Sequence, residues 1–186
     1  MKKFAIALLA ALSFSAPALA FDGVTYRVEA HGGWDRIASG GHKSGVAYGG
    51  AIGADLAVGT KAFVGLEGDV DGSSVKECGS NVVAVGDRLC IKPGRDLSVL
   101  GRVGAKLDGG YKVYVLGGYT NGRIVAKYTF GGVTGSAGDN LDGVRVGAGI
   151  EVPLRGKAYA KAEYRYSNYE QDVTRQQLLI GLGFTF

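Results

Sequence analysis

The chain is poor in the residues that build most active centres and most membrane helices. It holds two histidines, two cysteines and three prolines among 186 residues. After the first 20 residues no apolar run approaches the roughly 20 positions a membrane helix needs, which excludes a helical integral protein. No long stretch carries helical periodicity either. No Lys/Arg block is present, so a nucleic-acid-binding tract is excluded. Neither cysteine has a histidine beside it in sequence, so a zinc site is not expected, and no cofactor is implied by any motif. Gly131-Gly132 and Gly147-x-Gly149 are not followed by a strand-to-helix pattern and so are not phosphate loops.

Two features are abundant instead. Glycine occupies 33 of 186 positions, well over twice the usual share of about 7%. Without proline to match, this is no linker composition and suits curved strands around a crowded interior. The second feature is the start. Lys2 and Lys3 precede the apolar run Phe4–Leu12, and Ala18-Leu-Ala20 offers small residues for cleavage, so residues 1–20 read as a secretory signal peptide. The mature domain is expected over 21–186. Removing Lys2 and Lys3 lowers the net charge from +4 to +2. An exported chain meets an oxidising compartment, which predicts a disulfide between Cys78 and Cys90.

Eight segments alternate with period two. They cover Val24–Trp34, Val46–Val58, Ala62–Val70, Leu97–Leu107, Tyr111 to about Phe130, Leu141–Leu154, Ala158–Tyr166 and Arg175–Phe186. The fifth slips near Asn121-Gly122, which predicts a bulge there. Connections after the second, fourth and sixth segments are short; those after the first, third and fifth are longer, including a Gly-rich loop over 131–140. Short turns on one rim and long loops on the other are the pattern of an outer-membrane barrel.

The two faces differ in charge. One is apolar and nearly uncharged throughout. The other carries the acids Glu29, Asp55, Glu67, Asp69, Glu151 and Glu163, with the bases Arg27, Arg102, Lys106, Lys112, Arg145, Lys161 and Arg165. A charge-free face suits lipid, where a midplane Arg or Lys costs about 2–4 kcal/mol. The mixed face suits a small lumen in which ions must pair. Tyr26 and Trp34, and again Tyr111 and Tyr119, stand eight residues apart on the uncharged face, which predicts two aromatic girdles. One holds Tyr26, Tyr111, Phe184 and Phe186; the other holds Trp34, Tyr48, Tyr119, Tyr164 and Tyr166. The expected fold is an all-β, eight-stranded antiparallel up-and-down transmembrane barrel. A soluble lipocalin-like ligand-binding barrel is the rival, prompted by Gly32-Gly33-Trp34.

Ala162-Glu-Tyr-Arg-Tyr-Ser-Asn-Tyr169 and Gly181-Leu-Gly-Phe-Thr-Phe186 resemble the penultimate and closing strands of bacterial outer-membrane β-barrels, the family of opacity-type surface antigens and small OmpA-like barrels. The resemblance implies insertion by the barrel assembly machinery, with Phe186 in the assembly signal. It also implies a role in envelope integrity, antigenicity or adhesion, sometimes with limited permeability. The bore of eight strands is just wide enough for side chains. The expectation is therefore a non-enzymatic structural or surface-interaction protein whose lumen is plugged by Arg27, Glu29, Glu67, Asp69, Arg102, Arg145, Glu151, Lys161, Glu163 and Arg165. A small porin-like diffusion channel is the alternative. Expected partners are outer-membrane lipid and lipopolysaccharide, and an extracellular partner through loops 71–95 and 121–141. Both termini are expected in the periplasm. His31 reads as an inward residue near the rim and His42 as a loop residue.

Overall fold

Period-two patterning organises the whole of the described chain. The structure, a computed structural model, describes residues 23–186, so the expected signal peptide lies outside it. Nine strands follow in order: β1 (Val24–Ala38), β2 (His42–Val58), β3 (Ala62–Ser73), β4 (Glu77–Ser80), β5 (Arg88–Lys106), β6 (Lys112–Phe130), β7 (Val133–Pro153), β8 (Ala158–Tyr169) and β9 (Thr174–Thr185). A single 3-10 turn covers Asp108–Gly110. Pairing is antiparallel in the order β3-β2-β1-β9-β8-β7-β6-β5, and β3 pairs with β5 to close the ring of eight. The short β4 pairs with the outer end of β5.

The register defines the bore. One row of paired residues leaves β1 at Trp34 and passes Leu178, Tyr164, Ala148, Val115, Val103, Val64 and Leu56. It returns to β1 at Val24, ten residues from where it began. That stagger, with a strand spacing of about 4.8 Å and a rise of about 3.3 Å per residue, tilts the strands by about 41° and gives a radius of about 8 Å. Such a cylinder has room for its own side chains and little else.

Alternation around this wall is complete. Ile52, Leu66, Val99 and Ile180 point outward and are 65–70% exposed. No charged residue occupies an outward position between Tyr26 and Trp34, Val46 and Val58, Val64 and Val70, Leu97 and Val103, Val113 and Tyr119, Val144 and Val152, Ala160 and Tyr166, or Leu178 and Phe184. Charged side chains take the inner positions instead. Apolar clusters lie toward the two ends of the bore: Phe63, Leu100, Tyr114 and Leu116 near one, and Leu141, Tyr169 and Val173 with Ile37 and Ile124 near the other. Many glycines sit where larger residues would collide with inward side chains. A Cβ at Gly53 would overlap the Arg27 guanidinium, and one at Gly183 the Tyr159 ring.

The strands run further than the alternation of apolar residues indicates. β1 continues past Trp34 to Ala38, and β2 starts at His42, leaving a three-residue connection. The expected Gly-rich loop over 131–140 is mostly strand, because β6 offers a continuous ladder from Lys112 to Phe130 and pairing overrides weak local propensity. Only Gly131-Gly132 turns, both with positive φ (57° and 81°), as a two-residue hairpin turn requires. The expected slip at Asn121-Gly122 is corrected as well. β6 runs through it evenly, and the extra residue lies on β5 between Pro93 and Asp96. Pro93 has no N–H to give the ladder, so an interruption there is cheap. The long connections are thus mostly strand: β5, β6 and β7 rise beyond the ring as a tower, the β6 part spanning about 23 Å along the strand from Arg123 to Phe130.

Candidate functional site

The inner face is built in layers. Near the short-turn rim, Lys112 lies 3.4 Å from Asp55 and 3.2 Å from Glu151. Arg102 donates to Glu151 at 2.6 Å, lies 3.2 Å from Asp55, and stacks over the Tyr114 ring at 4.1 Å. Arg27 donates to Glu67 at 2.6 Å.

The middle layer centres on Arg165. It reaches Asp69 at 2.8 Å, Glu67 at 3.2 Å and Asp71 at 3.4 Å, and also bonds Glu163. Lys161 contacts Glu29 and lies 3.4 Å from Glu163, to which the Tyr114 hydroxyl donates at 2.5 Å. The Tyr159 hydroxyl donates to Glu29 at 3.0 Å. His31 is a lumen residue rather than a rim residue: it is 7% exposed and held between Asp71 at 2.6 Å and Glu29 at 3.3 Å.

The third layer faces the tower. Arg145 donates to Asp96 at 2.7 Å, to Asp71 at 3.1 Å, and to Ser98 and Ser167 at 2.8 Å each. Arg175 grips Asp35 with two bonds of 2.8 and 2.9 Å and donates to Asp96 at 2.7 Å. In all, nine buried carboxylates face six buried Arg and Lys side chains, with half-buried Lys112 and His31 beside them. Cavities of about 220 Å³ and 200 Å³ open at the short-turn and tower mouths, and the three layers lie between them.

All ten residues expected in the lumen occupy this network. Sequence reading left out Asp35, Asp71, Asp96 and Arg175, together with the hydroxyls of Tyr114, Tyr159 and Tyr169. Lys106, also expected inside, lines the short-turn mouth. His42 starts β2 rather than lying in a loop.

Catalytic arrangements find little freedom here. Glu29, His31 and Asp69 bring one ligand atom each within 4.8 Å of one another, the spacing of a metal site. Each is already engaged: Glu29 by Lys161, Asp69 by Arg165 and His31 by Asp71. A cation entering there would meet an ammonium and a guanidinium at contact range, which disfavours it.

On the outer face Tyr26, Trp34, Tyr48, Tyr111, Tyr119, Tyr164, Tyr166, Phe184 and Phe186 all take outward positions. The Tyr26 and Phe186 rings stack at 6.1 Å, joining the first strand to the last. Phe186 also exchanges backbone hydrogen bonds with Tyr26 at 3.0 and 3.3 Å.

The tower is stapled by the Cys78–Cys90 disulfide, whose residues face each other across the β4–β5 ladder. Above it, the Asp87 carboxylate accepts backbone N–H bonds from Val82 at 2.7 Å and from Val83 and Ala84 at 2.8 Å. Burial pushes the Asp87 carboxyl up, but these three donors and the Tyr128 hydroxyl outweigh it and hold the group below the usual carboxylate range. Burial and the Asp87 charge push the Tyr128 phenol up.

A closed ring with a charge-free outer face and an ion-filled bore is the inverse of a soluble lipocalin-like barrel, and defines an integral β-barrel of the bacterial outer membrane. The sequence matches the outer membrane protein beta-barrel domain over residues 6–186, and the chain belongs to that family. No curated protein matches it at a significant level. Among solved structures it is similar to Ail, the attachment invasion locus protein of Yersinia pestis, in complex with the heparin analogue sucrose octasulfate: 16% identity, 89% of this chain and 100% of that one, TM-score 0.59. It is also similar to Neisserial surface protein A: 14% identity, 87% and 97% coverage, TM-score 0.56. A third is a major outer membrane protein of Thermus thermophilus: 14% identity, 88% and 99% coverage, TM-score 0.59. At these identities the likeness concerns the fold.

Proposed function

We propose that the protein is a non-enzymatic surface-interaction barrel with a plugged lumen, its termini in the periplasm and its tower outside the cell. The observation that carries this reading is the bore itself, filled by three interlocking layers of ion pairs inside a cylinder of about 8 Å radius. Every charged group at its centre is engaged by another, so neither a solute path nor a free catalytic group remains. Binding then falls to the tower, which is rigid, stapled and rich in cations. The heparin analogue bound to Ail makes sulfated polysaccharide one class of partner that the basic tower suits. Outward aromatics sit against lipid and lipopolysaccharide at the two interfaces, and β9 with Phe186 is the segment presented to the barrel assembly machinery.

Planar-bilayer recording tests the plug. The folded protein should show no sustained unitary conductance. Stable ion-selective openings would instead support the diffusion-channel reading, which the two mouth cavities favour. The excess of carboxylates over cations would then make the pore prefer cations.

A further inference from the structure

The summit of the tower carries an expensive feature. Val83, Val85 and Val133 are 76%, 91% and 75% exposed, and Val82 and Phe130 about half exposed. These five belong to two neighbouring tips. The 81–87 loop ends where Arg88 pairs with Thr129, and Thr129 precedes the Phe130–Val133 turn. Exposed apolar groups scattered singly need no explanation; a cluster on one summit does.

Nor are the valines there by looseness. Asp87 ties down the three amides of Val82, Val83 and Ala84, and Asn81 accepts from Gly86 N–H at 2.7 Å. The disulfide anchors the base of the same loop. A hydrogen-bonded polar frame thus presents aliphatic side chains to solvent in a fixed shape, which lowers the ordering cost of binding.

The surroundings indicate what meets them. Residues 79–95 and 122–138 contain one acid, Asp87, and it is buried and internally bonded; the next acids lie lower on the tower, Glu77 opposite Ile91 and paired with Lys43 at 3.3 Å, and Asp139 opposite Ile124. They contain Arg88, Lys92, Arg95, Arg123 and Lys127, none of which makes an ion pair among the described residues. The outermost layer is therefore apolar and convex, with a cationic collar beneath. A protein partner would draw on Trp, Tyr or Arg anchors in pockets, and valine is under-represented at such hot spots. A polyanion would use the collar and ignore the valines. A lipid bilayer uses both, taking the aliphatic tips below its headgroups while the collar meets anionic headgroups.

We propose that the tower summit inserts into an apposed anionic membrane, so that the protein bridges two lipid surfaces. This rests on the extracellular placement of the tower, which surface proteolysis of whole cells checks separately. The test uses the full chain in nanodiscs, mixed with sucrose-loaded vesicles of phosphatidylcholine containing about one-third phosphatidylserine, and scored by co-sedimentation. Binding is expected to anionic vesicles, at least tenfold weaker to pure phosphatidylcholine, and at least tenfold weaker for Val83→Asp/Val85→Asp and for Arg88→Glu/Lys127→Glu. The Val85→Trp variant should be quenched by brominated lipid supplied only in the added vesicles. Absence of vesicle binding overturns the proposal. So does vesicle binding unchanged in the Val83→Asp/Val85→Asp variant, which would make the tower a charge-reading surface for polyanions. Loss of barrel folding in these variants, read by the heat-dependent gel shift, is not expected, because the valines touch water.

Discussion

Replacing Arg165 by Met tests whether the lumen is a dry, paired interior. The side chain is fully buried and serves Glu67, Asp69, Asp71 and Glu163 at once. Methionine keeps much of the bulk and removes the charge. Breaking a buried pair by deleting one partner costs about 3–5 kcal/mol, because the stranded partner stays desolvated. With a urea dependence of about 2 kcal/mol per molar, the unfolding midpoint should fall by about 2 M. Trp34, the only tryptophan, lies on the β1–β9 seam and reports unfolding by fluorescence in lipid vesicles. Arg165→Lys keeps the charge but not the forked geometry and should fall between wild type and Arg165→Met. Lys127→Met, on the exposed tower, should stay within about 0.5 kcal/mol. A loss below about 1 kcal/mol for Arg165→Met would refute the reasoning: it would mean that water reaches the four carboxylates and that the bore is open.

Two further outcomes follow from local geometry. A Cβ at Gly33 would overlap the Leu178 carbonyl on the closing seam, so Gly33→Ala should cost about 3 kcal/mol, the upper end for overpacking, and weaken or abolish the heat-dependent gel shift. Gly68→Ala, where the new Cβ has ordinary clearance, should not. The Asp87 carboxyl is held below its ordinary value, about 4. Its contribution to loop order is therefore complete above that pH and lost as the pH falls through the folded-state value. Amide shifts of Val82, Val83 and Ala84, followed by NMR from pH 6 to pH 2, should move together with a midpoint below 4 and lose that step in Asp87→Asn. A midpoint above 4 would contradict the assignment.

The fold was legible because lipid imposes a strict rule. Outward positions of a membrane barrel reject charge, so alternation survives even where glycine blurs hydrophobicity, and both faces of β8 and β9 could be read residue by residue. Reading failed where the apolar partner of the alternation faded. Asp35 has the same parity as Arg27, Glu29 and His31, and Asp71 that of Glu67 and Asp69. Both were missed because the segments were ended at Trp34 and Val70, their last large apolar residues. Asp96 lies one residue before Leu97 in the same way, whereas Arg175 opens the segment Arg175–Phe186 with the parity of Gln177 and was simply not counted among the inward charges. Carrying the parity one residue further reaches the three aspartates, and applying it to the first residue of the last segment reaches Arg175. The tower was beyond such a rule. Above the membrane both faces meet water, so Thr134, Gly135 and Ser136 show no alternation although they form a regular ladder.

The lumen ion pairs have a mechanical consequence. Backbone ladders fix the circumference of the ring, but a closed ribbon of fixed circumference can still flatten into an ellipse. Arg165 on β8 and Arg145 on β7 both reach Asp71 on β3, on the far side of the ring. These side chains act as spokes across the bore, holding opposite walls at a set separation against lateral pressure from the bilayer. The wall they keep round is also the foundation of the tower, so the orientation of the summit is set by charges buried well beneath it.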